Sequence, residues 1–193
     1  MRWISMNSPE RRIVVGISGA SGVIYGVRTL VLLRELGITT HLVMTKSAQI
    51  TLAHELDMKV ADVKALASVV HDPADIGASI SSGSFKTLGM LVTPCSIKSL
   101  SEISTGITGS LLSRAADVTL KERRPLILMV RETPLHLGHL RSMTQICEMG
   151  GIVVPPAPAF YARPQSIEDM VDHTVGRMLD LLGLDTGTVR RWG

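Results

Sequence analysis

Aromatic side chains are nearly missing from this 193-residue chain: two each of Phe, Tyr and Trp, 3% of the sequence. So few rings exclude a module that stacks successive bases of a nucleic-acid strand. The core must instead be built from Val, Ile, Leu, Ala and ten Met. Cysteine is scarce too. Cys95 and Cys147 cannot make a disulfide framework, and no zinc-type Cys/His spacing is present. A reducing cytoplasm is the expected setting. No apolar run reaches the roughly 18 residues of a membrane helix, so no membrane association is expected. The opening MRWISMNSPERR lacks an apolar h-region, which argues against a secretory leader. Charge of one sign is also lacking. Twenty Lys+Arg face 17 Asp+Glu, a net +3, which suits a local anion site better than a nucleic-acid surface.

What is present reads as a folded α/β chain. Hydrophobic residues are 45% and charged residues 19%, outside the range of disorder. A loose lead-in over 1–11 precedes a single expected domain over 12–193. Apolar runs predict strands at 12–18, 40–45, 68–71, 88–93, 125–130 and 151–154, the fourth stopped by Pro94. Helical spacing predicts helices at 23–36, 46–56, 60–67, 96–104, 111–123, 136–149 and 167–182. The Pro/Gly/Ser/Asp-rich stretch 72–84 reads as a loop with a flexible Ser81–Ser84 core, and the Pro-rich 155–164 cannot be regular helix. Strands alternating with helices predict a three-layer α/β/α fold with a parallel sheet. Ligands should then sit outside the carboxyl ends of the strands, near the topological switch point.

The chemically interesting residues fall at those ends. Gly16-Ile-Ser-Gly-Ala-Ser-Gly22 follows the first strand and runs into a helix. Its glycines permit a tight turn, and the helix start offers N–H groups to a phosphate, with the Ser18 and Ser21 hydroxyls beside them. It is neither the GxGxxG fingerprint nor a P-loop, and a plain tight turn explains it equally well. Thr45 and Lys46 follow the second strand, and Thr93-Pro-Cys-Ser-Ile-Lys-Ser99 ends the fourth. Cys95 reads as a buried structural thiol. Arg131-Glu132 ends the fifth strand; Arg can fork onto phosphate and Glu can move a proton, although a surface ion pair is the plainer account. Arg114 and Lys121 share a helix face, extended by Arg123 and Arg124. Phe160 and Tyr161 lie in the Pro-rich loop, either capping the core or near a site with Arg177. The residues alone give a domain for a phosphorylated, flat or cofactor-like molecule, with cations to spare for a second anion.

Six motifs in order carry a resemblance: SGASG at 18–22, the PCS turn at 94–96, RAADVTLKERRP at 114–125, RETP at 131–134, FYARPQS at 160–166 and RRW at 190–192. With these the chain resembles the UbiX-type flavin prenyltransferases, formerly described as aromatic acid decarboxylases. The resemblance implies a Rossmann-like flavoprotein assembled as a homododecamer. It implies an enzyme that joins dimethylallyl monophosphate to N5 and C6 of reduced FMN, giving prenylated FMN for a UbiD-type decarboxylase. By position, Gly19, Ala20 and Ser21 match the FMN-phosphate turn. Thr45, Ser96, Ile97, Lys98, Ser99 and Arg131 match other FMN contacts. Tyr161 and Arg177 match the dimethylallyl-phosphate site. Ser82, Arg114, Lys121, Glu132 and Glu55 match the lining of the substrate-phosphate region, partly from neighbouring subunits, and Trp192 lies near it.

Glu55, Lys121, Glu132 and Tyr161 are the expected catalytic residues. Fixed cations and the Tyr161 hydroxyl would hold the leaving phosphate, a carboxylate would move a proton, and the Trp192 face would tolerate an allylic cation. No DDxxD-like cluster is present, so no metal is expected. Lys98 departs from the smaller residues common in relatives, and the loop before Ser81 is shorter than in some. Two alternatives remain. One is an FMN-dependent aromatic acid decarboxylase, although the PASANT-type motif of flavoprotein cysteine decarboxylases is missing, so that His54 in the second helix lacks its pairing with that motif. The other is a non-enzymatic FMN carrier, which would need no second phosphate site.

Overall fold

Ile13, Val15, Val14 and Ile17 are shut off from solvent, as a strand covered on both sheet faces must be. They belong to β1 (Arg12–Ile17), the centre of a six-stranded, wholly parallel sheet. The computed structural model describes residues 11–191; the expected lead-in, Arg11 apart, and Trp192 lie outside them. Chain order is β1, α1 (Val23–Glu35), β2 (Thr39–Met44), α2 (Lys46–Glu55), α3 (Val60–Ala65), β3 (Val69–His71), β4 (Gly89–Cys95), α4 (Ile97–Thr105), α5 (Leu111–Lys121), β5 (Leu126–Val130), α6 (Leu137–Glu148), β6 (Ile152–Val153) and α7 (Ile167–Asp180). Single 3-10 turns stand at Ser79–Ser81 and Phe160–Ala162.

The strand order is β3-β2-β1-β4-β5-β6. It reverses between β1 and β4, which sets the switch point there. Alternate residues of β1 feed two cores. Ile13, Val15 and Ile17 pack with Val27 and Leu30 of α1, Leu52 of α2 and Val175 of α7. Val14 packs with Leu100 of α4, Leu112 of α5 and Ile146 of α6. At about 1.5–3 kcal/mol per fully buried aliphatic side chain, these two layers are the main favourable term. Aliphatic residues thus carry the core without rings.

One element differs from expectation. β4 continues through Pro94 to Cys95 rather than stopping before it. The pairing with β5 shifts register between Val92 and Cys95, so the amide that proline lacks falls in an irregularity of the ladder. Among the described residues no helix is long and apolar enough to cross a membrane.

Candidate active site

The carboxyl ends of β1, β2, β4 and β5 border a cleft of about 570 Å3. Gly19 reaches it from the turn after β1, Thr45, Lys46 and Ser47 from the start of α2, Ser96, Ile97, Lys98 and Ser99 from the start of α4, and Glu132 from beyond β5. Thr45 and Ser96 are N-caps: their hydroxyls accept from the Ala48 amide at 3.1 Å and the Ser99 amide at 3.3 Å. A cap on the third amide leaves the first two of each helix without an intrahelical partner. Two positive helix ends and several hydroxyls therefore converge on one cleft, which suits a phosphate group. Lys98 is turned to Glu102, 2.6 Å away.

The start of α1 is closed differently. Glu55, at the end of α2, accepts from the Gly22 amide at 2.8 and 3.1 Å and from the Val23 amide at 3.0 Å. Burial opposes its charge, but hydrogen bonds from the Ser21 hydroxyl and these amides, with the Arg131 charge, outweigh it and hold the carboxyl below its ordinary range. An anion approaching this helix end meets a carboxylate already in place. Ser18 is likewise committed: its hydroxyl donates to the Pro94 carbonyl at 3.0 Å and accepts from the Ser96 amide at 2.7 Å. It joins the ends of β1 and β4 across the switch point. Cys95 is fully buried and its thiol is pushed up to about 12, so it is inert as a nucleophile.

The remaining expected residues fall into separate groups. Arg131 is exposed at the end of β5, and its charge acts on Glu55 and Tyr25. Glu132 accepts from the Thr133 amide at 3.0 Å. Tyr161 and Arg177 line a different cavity of about 290 Å3, against His173 and Thr174. No residue lines both cavities. Phe160 is 75% exposed, while Tyr161, 43% exposed, meets the His173 ring edge-on; neither joins the two core clusters. Arg177 is paired with Asp180 at 2.6 Å, and Asp180 also holds Arg191 at 3.1 Å.

Lys121 lies farther off still. It ends α5, just before β5, whereas Glu132 lies just after that strand; a strand of that length spans about 17 Å. Its ammonium is 2.6 Å from Glu122, and Ser82 stands on the loop facing it. Arg114, one turn into α5, pairs with Asp117 at 2.9 Å. One chain does not bring these cations to the cleft.

Asp72, Pro73 and Ala74, after β3, and Gly109 and Ser110, before α5, also line the cleft and are absent from the sequence-derived set. The first three follow the same strand-end rule, applied to a strand only three residues long. Nothing local in the sequence marks the loop before α5.

A family model described as Flavoprotein matches residues 3–179. Flavin prenyltransferase UbiX of Escherichia coli (strain K12) is 62% identical over 171 residues, covering 88% of this chain and 90% of that one. Flavin prenyltransferase UbiX of Thauera aromatica is 55% identical over 181 residues, 94% of this chain and 93% of its own. Among solved structures, AnUbiX in complex with FMN and dimethylallyl pyrophosphate superposes with a TM-score of 0.94 at 50% identity, over 95% of this chain and 98% of that one. The dodecameric FMN-dependent Ubix-like decarboxylase from Escherichia coli O157:H7 superposes with a TM-score of 0.92 at 48% identity, over 94% and 99%.

Proposed function

Because the chain belongs to the UbiX-type flavin prenyltransferases, we propose that it transfers a dimethylallyl group from dimethylallyl monophosphate to N5 and C6 of reduced FMN. The observation that supports this reading is the pairing of a flavin-sized cleft, bearing two free helix starts, with a second, separate cavity bordered by Tyr161 and Arg177. A carrier needs only the first. Direct decarboxylation of an aromatic acid leaves the second unexplained.

The cleft fits FMN. Its volume lies within the usual range for a cofactor site, and the first turns of α2 and α4, with Thr45, Ser96 and Ser99, would hold the phosphate. Gly19, Ala20 and Ser21, which the resemblance matches to the phosphate turn, would instead border the ring, because Glu55 already holds the amides at the start of α1. Arg131, close enough to act on Glu55, would meet the flavin from the β5 side. When bound, reduced FMN supplies the two nucleophilic atoms. The residues must hold the leaving phosphate and move protons as the new bonds form. Lys121, Arg114, Arg177, Ser82 and the Tyr161 hydroxyl are the groups for the phosphate. Glu55, held ionised by its donors, is the weaker base and would orient the Ser21 hydroxyl, whereas Glu132 at the cleft rim is the carboxylate placed to accept a proton.

Since one chain keeps these groups apart, neighbouring copies would complete the site, as in a dodecamer. No metal is required, and no cluster of metal-ligating side chains exists among the described residues. The product would pass to a UbiD-type decarboxylase in the cytoplasm, where Cys95 and Cys147 stay reduced.

The test is anaerobic. Purified protein receives reduced FMN and either dimethylallyl monophosphate or the pyrophosphate, and the flavin mass is followed. A prenyl adduct formed from the monophosphate supports the reading. An unchanged flavin, with CO2 released from an aromatic acid by this protein alone, would overturn it. Lys121→Ala and Tyr161→Phe should keep FMN bound but slow adduct formation about 100-fold, the scale for losing one charge-stabilising donor.

A further inference from the structure

Composition predicts a flexible loop around Ser82, yet this loop is bolted to the turn that follows α5. The bolt is Arg124. Its guanidinium donates at 2.7 Å to the Phe85 carbonyl and at 2.7 Å to the Gly83 carbonyl, and its side chain is only 16% exposed. Arg123 stands before it at φ +58°, a left-handed conformation that a non-glycine residue adopts only at a cost. The turn thereby sends Arg124 back across the loop. Glu122 lies between the two cations, 2.6 Å from Lys121 and 3.9 Å from Arg124. Gly83 leaves room for this arrangement: a Cβ there would lie 2.1 Å from Glu122 Oε1 and 2.9 Å from Lys121 Nζ. The loop's other end is fixed by Phe85, whose ring meets His41 edge-on and lies beneath the Arg12 guanidinium.

From this geometry we propose that Arg124 and Gly83 are positioning residues for prenyl transfer, holding Ser82 and Lys121 as one preformed phosphate-binding unit. The proposal rests on the reading above, in which Ser82 and Lys121 receive the substrate phosphate. Arg124 itself faces two carbonyls and does not touch substrate. A Lys at 124 keeps the charge but cannot fork onto two acceptors. Ala at 83 displaces the far end of Glu122, a flexible group, and with it the ammonium of Lys121.

The experiment measures KM for dimethylallyl monophosphate, kcat, the FMN dissociation constant and the thermal midpoint of the intact oligomer for Arg124→Lys, Gly83→Ala and Lys121→Ala. Both positioning variants should lose about ten- to 100-fold in kcat/KM for the allylic phosphate, the scale of an ångström-sized misplacement. FMN affinity should stay at the wild-type value, which a general loss of fold would not allow. If Arg124→Lys fails to assemble, Gly83→Ala decides the matter. Wild-type kcat and KM in a folded positioning variant, beside an impaired Lys121→Ala, overturn the positioning role alone. Wild-type kinetics in Lys121→Ala as well would remove the site reading and this proposal together.

Discussion

Glu55 spends its charge on the backbone. Two amides and a hydroxyl converge on it at the start of α1, a carboxylate complementing a positive helix end. Replacing it with Gln keeps the shape and removes the charge, at a cost of about 1 kcal/mol. That should lower the thermal midpoint by about 2–4 °C for a domain of this size. Because the folded carboxyl titrates below the ordinary value, its contribution is full above that value and is lost as pH falls through the lowered one. Wild-type and Glu55→Gln midpoints should therefore converge in acid; a gap that persists there would mean shape, not charge, is responsible. A second residue-scale effect comes from His41 and His71, whose ring nitrogens lie 2.9 Å apart. Burial pushes His71 down from its usual 6.5, against the pull of Asp75. The unfolded chain thus takes up a proton first as pH falls past 6.5, and stability should decline from there until the folded-state ring, titrating lower, is protonated as well. His71→Phe should flatten that slope in thermal melts, and an unchanged slope would place the titration elsewhere.

At the scale of elements, the sequence was legible where one segment settles its own form. Ser166 caps α7 from the position just before the expected helix, Ser96 caps α4 from what the spacing predicts as its first residue, and Gly-rich or hydroxyl-rich turns do follow β1, β2 and β4. It was illegible where distant segments decide. Glu55 meets Gly22 across 33 residues of chain, and Arg124 meets Gly83 across 41; no local pattern encodes either. Pro94 misleads for the same reason, since its tolerance depends on a register shift against β5. The packing of α1 on the sheet is a further case. A Cβ on Gly26 would lie 2.5 Å from the Thr93 carbonyl oxygen and 2.8 Å from Ile17 Cδ1. The first neighbour is backbone and cannot swing aside. Gly26→Ala should therefore cost about 1–3 kcal/mol despite the better helix propensity of Ala, read as a lowered midpoint in denaturant. A stabilised protein would mean that α1 can slide outward freely.

At the scale of the whole molecule, most of the expected site residues gather at three separate places in one chain: the cleft at the strand ends, the cavity of Tyr161 and Arg177, and the unit of Ser82 and Lys121. Large apolar side chains stand at the surface. Phe160, Ile167, Leu137 and Ile107 are 75%, 71%, 59% and 58% exposed, and the buried His139 Nδ1 has no hydrogen-bond partner. Singly exposed apolar side chains are ordinary on a protein surface, so the test of assembly lies in the site residues themselves. If one active site takes its flavin turn, its Lys121 and its Tyr161 from different copies, two inactive variants can repair one another. Lys121→Ala and Tyr161→Phe chains, unfolded and reassembled together in equal amounts, should form some sites with both residues intact. Random mixing gives about one quarter of sites in that condition, so adduct formation should recover to about that fraction of wild type. Each variant reassembled alone should stay slow. If a single chain supplied Lys121 and Tyr161 to the same site, no mixed site could hold both. The mixture would then be no faster than the mean of the two variants, and the shared-site arrangement would have to be abandoned.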